Sequence, residues 1–127
     1  FGRRAYRRPL EAVEVDAIVA VYERGVELAD HRTGVQIALE AMLTSPQFLY
    51  HLEGLTPEAA PGTILPLSGY ERAARLSFFL WRSVPDDDLL DDADAGVLDT
   101  TEGMADAARR MLADERAART IDDFHRQ

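Results

Sequence analysis

The residues best equipped for chemistry stand in one stretch, "PDDDLLDDADAG", Pro85 to Gly96. Aspartates at alternating places before a glycine suggest a calcium loop, since a hard cation takes several carboxylate oxygens. An EF-hand loop, however, needs D-x-[DN]-x-[DN]-G and a closing glutamate, and Leu89 and Leu90 fall where such a loop stays polar. The start of a helix accounts for the pattern better. Pro85 cannot continue a preceding helix but pre-sets the first turn of the next. Asp86, Asp87 and Asp88 then meet the unpaired N–H groups of that turn, where each negative charge gains ~0.3–1 kcal/mol from the dipole. Leu89, Leu90 and Ala93 anchor the helix, and Gly96 ends it.

Other candidates are sparser. His31, His51 and His125 are too dispersed for a local ligand motif. Asp122 and His125 have the i, i+3 spacing of the carboxylate–histidine pairs in di-iron bundles, but such sites need a second copy of the pair and bridging glutamates, and the chain has no second copy. His51 with Met42, Met104 or Met111 could ligate a non-covalent haem, although methionine in a helical stripe is ordinarily core filler. No serine sits in a G-x-S-x-G elbow, and no glycine-rich phosphate loop is present. Tyr70, Arg75, Ser77 and Asp87 are the polar residues nearest the predicted centre. They are read as a buried charge-assisted network, with Arg75 meeting Asp87 or Asp88 across the Pro85 corner. No catalytic, cofactor-binding or metal-binding residue is assigned.

The elements that must position these groups are helices. Ile18, Val21, Tyr22, Gly25, Leu28 and Ala29 form one apolar stripe on a helix over 11–29. Gly25 on that stripe costs roughly 1 kcal/mol against Ala, which close approach of a neighbouring helix would explain. Thr33 and Gln36 read as a capping box, followed by inward Val35, Ala38, Leu39 and Met42. Ser45-Pro46 starts a short helix. Gly54 to Leu67, with three prolines and two glycines in fourteen residues, is a linker. Ser68 and Glu71 cap a helix over 69–82, and Glu71 forms an i, i+4 pair with Arg75. Leu76, Phe78, Phe79, Leu80 and Trp81 make its second half apolar almost all round, which predicts the centre of the fold. Asp99 with Glu102 caps a helix through Met104, Ala108, Met111 and Leu112. Asp114 caps the last, with Ala117, Ile121 and Phe124 inward. That helix is still amphipathic at Gln127, and the chain opens on "FGRRAYRRPL" without methionine, so a longer parent protein is expected. The predicted class is all-α, a bundle of about six or seven short helices. Its segments are an N-terminal helical domain over 1–53, a Pro/Gly-rich linker over 54–67, and the start of a second helical domain over 68–127 that shares one core with the first.

Composition narrows the partners. A net charge of −9 disfavours nucleic acid, whose phosphates call for concentrated Lys and Arg. The only basic cluster is Arg3, Arg4, Arg7 and Arg8, read as a solvated or carboxylate-paired end. All 14 basic residues are arginine. Cysteine is absent, which removes thiol nucleophiles, Cys-based zinc sites and covalent CxxCH haem attachment within these residues. No apolar run approaches the ~20 residues of a membrane span.

The tracts "FGRRAYRRPL", "ALEAMLTSPQFLYHLE", "LSGYERAARLSFFLWRSVPDDDLL" and "AARRMLADERA" resemble two adjacent domain-of-unknown-function families of large planctomycete and myxobacterial proteins, often called planctomycete-specific domains. The resemblance runs from Phe1 to about Glu53 for one domain and from Leu67 onward for the next. It implies an exported protein, periplasmic, cell-surface or extracellular, often with c-type cytochrome segments elsewhere in the chain. It carries over no catalytic residue. This chain has Glu11-Ala12 where members usually have Thr-Asp, which predicts a weaker cap on the first long helix. The resulting expectation is a non-catalytic structural or interaction module that positions neighbouring domains of the same parent chain, haem-bearing ones among them. The alternative is one wall of a redox or hydrolytic active site completed by the rest of the parent protein.

Overall fold

The computed structural model describes residues 1–54, 60 and 62–126. Among these the chain is all-α, with eight α-helices, one single-turn 3-10 helix and no strand. It divides into two compact units, Phe1–Leu52 and Glu53–Gln127. Buried apolar side chains form one cluster in each unit. Part of the linker reading, 55–59 and 61, lies outside the described residues.

The first unit contains α1 (Gly2–Tyr6), α2 (Ala12–Leu28), α3 (His31–Leu43) and α4 (Pro46–Leu49). Helices α2 and α3 make a hairpin, and Gly25 sits where the stripe predicted a close approach. A Cβ there would lie 2.6 Å from the Gly34 Cα, and a Cβ on Gly34 would lie 2.8 Å from the Tyr22 carbonyl oxygen. Two glycines thus let the backbones touch. The sequence reading found the first and missed the second. The start of α3 also differs. Asp30, not Thr33, is the N-cap, and its carboxylate accepts from both the Thr33 N–H and hydroxyl, while Gln36 donates to Glu40. Asp30 wins because its short carboxylate reaches the N3 amide one turn earlier. At the start of α2, Glu14 offsets the predicted weak cap by accepting the Glu11 N–H at 2.8 Å. Met42 packs with Ala5 and Tyr6, beside Leu10, Ile18 and Phe48. Leu28, Val35 and Leu39, expected inward, are exposed.

The second unit contains α5 (Gly69–Trp81), α6 (Asp87–Asp94), the 3-10 turn Val97–Asp99, α7 (Thr101–Leu112) and α8 (Glu115–His125). The Ser68/Glu71 capping box is present as read. Asp86 is the N-cap of α6, accepting the Leu89 N–H at 3.0 Å, with Asp87 and Asp88 in the first turn. Leu89, Leu90 and Ala93 are buried, and Gly96 follows the helix at φ 72, a left-handed conformation that favours glycine. The calcium-loop pattern is therefore a helix. Thr100, not Asp99, caps α7, because the chain first makes the 3-10 turn and Asp99 pairs with Arg72. Asp114 caps α8.

Trp81 is buried at 6% exposure, and its indole Nε1–H donates to the Met111 carbonyl at 3.0 Å. It packs with Ala73, Leu89, Leu98, Ala107, Met111 and Ala117. Phe79 overturns the expectation of an all-round buried helix: it is 78% exposed. At 100° per residue it lies opposite Ala73, Ser77 and Trp81, on the face that carries Arg72 and Arg75. Ile121 and Phe124 are likewise exposed where the stripe placed them inward. Truncation should separate the two aromatics. Trp81→Ala is expected to cost ~3–5 kcal/mol in chemical denaturation, and Phe79→Ala to stay within ~0.5 kcal/mol of wild type.

Candidate functional site

The charged side chains of the described residues are engaged chiefly in holding elements together. Arg7 is the most buried of them, at 7% exposure. It occupies the C-cap of α1 at φ 58, and from there its guanidinium donates to the carbonyls of Gln47 at 2.6 Å, Tyr50 at 2.8 Å and Phe48 at 3.2 Å. Those oxygens lie at the C-terminal end of α4, which lacks intrahelical donors and carries partial negative charge. Burial lowers the Arg7 pKa. The sequence placed Arg7 in a solvated or carboxylate-paired basic end; only tertiary contact reveals its carbonyl partners. Its neighbour Arg8 makes the anticipated carboxylate pair, a two-pronged contact with Glu14 at 2.7 and 2.8 Å. That bond holds the Glu14 carboxyl below its ordinary pKa.

A groove of about 210 Å³ opens in the first unit, lined by Tyr6, Ala17, Ile18, Val21 and Ala41, with Glu14 and Gln47 as its polar members. Glu14 is committed to Arg8 and to the Glu11 N–H. The groove therefore offers apolar walls without an available acid or base.

The polar cluster of the second unit centres on Arg116. Its guanidinium carbon stands 3.4 Å from the Trp81 ring centroid, a stacked cation–π contact. The same side chain reaches Asp86 at 3.2 Å and Asp114 at 2.8 Å. Arg110 extends the cluster to Asp92 at 2.7 Å and to Asp88 at 3.8 Å. The acid run thus supplies both a helix start and the counter-charges of two arginines from α7 and α8. Arg116 holds the Asp114 carboxyl down at about 2, and the two acids raise the pKa of Arg116 in return.

The proposed network of Tyr70, Arg75, Ser77 and Asp87 does not assemble. Arg75 turns to Glu53, with Nε to Oε1 at 2.8 Å, and not to Asp87 or Asp88. Its i, i+4 partner Glu71 uses its carboxylate on the N–H groups of Ser68 and Gly54. Ser77 is fully buried and donates to the Ala74 carbonyl within its own helix. The Tyr70 hydroxyl donates to Asp94, and Asp87 is exposed. What misled the sequence reading is direction: Arg75 shares the outer face of α5 with Phe79, away from the Pro85 corner.

The histidines do not converge. All three are exposed. His31 Nδ1 stands 2.8 Å from the Tyr22 hydroxyl, and His125 Nδ1 lies 2.8 Å from the Ile121 carbonyl rather than on Asp122. Met42 belongs to the core of the first unit; Met111 lies in that of the second, with Met104 packed against it. Among the described residues no group of three or more His, Asp and Glu side chains is placed to hold a metal ion. No helix of the described residues is long and apolar enough to cross a membrane.

Two measurements test these assignments. Arg7→Met leaves the α4 carbonyls without their donor and should lower stability by ~1–3 kcal/mol. Asp114, with its folded pKa near 2 against about 3.9 unfolded, contributes stability that is complete above pH 4 and lost as pH falls toward 2. Asp114→Asn should therefore flatten the dependence of stability on pH across that window in acid-denaturation curves, and an unchanged slope would contradict the pairing.

Similarity to known families follows the same two segments of chain. Residues 1–53 match the family described as "PSD5: Protein of unknown function (DUF1595)", and residues 67–127 match "PSD4: Protein of unknown function (DUF1592)". No curated protein and no solved structure matches the chain. The chain is therefore similar, over two adjacent segments, to two families of unknown function.

Proposed function

We propose that this chain is a structural and interaction module of a larger exported protein, of the planctomycete and myxobacterial kind its sequence resembles. In this reading it positions neighbouring domains of the same parent chain, c-type cytochrome segments among them, in the periplasm, at the cell surface or outside the cell. The observation that carries it is the division of labour among side chains. Arg7, Arg8, Arg75, Arg110 and Arg116 are spent on cross-element contacts. The large apolar residues Phe79 and Phe124, 78% and 76% exposed, face outward from two helices of one unit. Aromatic side chains in that position are the anchors that protein interfaces favour.

The parent gene provides the direct test: it should encode an export signal upstream and a CxxCH motif elsewhere, and a parent with neither would overturn the reading. In vitro, calorimetric titration of the chain with calcium, zinc and iron should release no binding heat. A visible absorption band on adding haem to the isolated chain would favour the wall of a redox site instead.

A further inference from the structure

We propose that α8 is a strap that opens separately from the rest of the second unit, held shut by the Arg116 guanidinium on the Trp81 ring. The grip of α8 is narrow. Ala117 is its one buried residue among those described, and Ile121 and Phe124 point their bulk to solvent. The Thr120 hydroxyl bonds to the Arg116 carbonyl inside the helix itself. Helices α5, α6 and α7 and the 3-10 turn are held by larger fully buried side chains, Leu89, Leu90, Leu98 and Met111, and by the Trp81–Met111 hydrogen bond, where α8 contributes only the small Ala117 to the same core.

The ionic contacts of α8 divide into those that travel with it and those that open. Asp114 caps α8 and binds Arg116 two residues on, so this pair moves with the helix. The contacts to other elements are the Arg116 stack on Trp81, the Arg116–Asp86 pair, and the Arg82–Asp123 pair at 3.1 Å, whose partners are both more than half exposed. Ala113 and Asp114 separate α7 from α8 and provide the hinge. Opening leaves few polar groups stranded. Asp86 still caps α6 through the Leu89 N–H, Trp81 keeps its bond to Met111, and Arg116 keeps Asp114. Both positions of the strap are therefore satisfied, which is the condition for a local opening distinct from global unfolding.

Hydrogen exchange on the whole chain tests this, with acrylamide quenching of Trp81, the only tryptophan, as a second readout. In Arg116→Ala the amides of α8 should exchange about tenfold faster or more while α5, α6 and α7 keep their protection, and Trp81 should become quenchable. Arg116→Met, which retains the apolar stem over the ring, should fall between this variant and wild type. In the unmodified protein, raising NaCl from about 0.05 to 1 M should speed exchange in α8 more than in α5, α6 and α7, because screening weakens the ion pairs of α8 while the large buried apolar side chains hold the other three. Exchange of α8 in step with α5 under every condition would overturn the strap. Should Arg116→Ala not fold, the salt series on the unmodified chain decides: exchange in α8 that ignores salt also overturns it.

Discussion

The stacking of Arg116 on Trp81 is the contact around which the second unit is arranged. A buried indole needs a partner for its N–H and a cover for its ring. Met111 meets the first need from the end of α7, and Arg116 meets the second from the first turn of α8. A guanidinium can lie flat on the ring and still reach carboxylates at its edge. The acids it reaches are Asp86 and Asp114, each already the cap of a helix. The contacts of one aromatic residue near the end of α5 thus reach the start of α6, the end of α7 and the start of α8. Lysine offers a compact point charge in place of a flat fork, and the chain contains none.

The first unit solves a different problem with the same group. Helix α4 has four residues, too few to satisfy its own carbonyls. Arg7 supplies the donors from a left-handed position at the end of α1, so a positive φ at a non-glycine residue aims a side chain at a helix end. The strain and the desolvation of this conformation are offset by three charge-assisted bonds to one helical terminus.

Much of the architecture was legible in the residues. Helix starts were written in short polar side chains that bond to nearby amides: Ser45, Ser68 and Asp114 all cap as read, because the interaction is local and the spacing decides it. Local spacing also exposed the acid run as a helix start, since Leu89 and Leu90 had to be buried on one face. Failures came where two local solutions competed, as with Asp30 against Thr33 and Thr100 against Asp99, or where burial depended on which elements lay alongside. Phe79 and Trp81 are two residues apart and equally apolar, yet α6, α7 and α8 cover only one of them. The destinations of Arg7 and Arg75, some 40 and 22 residues away in the chain, had no signature in spacing at all. Candidate chemistry shared this fate: residue types suggested networks, while direction along each helix decided that they did not form.

The meeting of Gly25 and Gly34 also bears on how the α2–α3 hairpin tolerates change. With backbone against backbone at that crossing, the hairpin has a single setting along its length. Sliding either helix by one turn would set a side chain where only hydrogen now fits, and the two rods would part. Any rearrangement of the first unit must therefore hinge outside the hairpin, before Ala12 or beyond Leu43, and leave the paired rods to move as one piece.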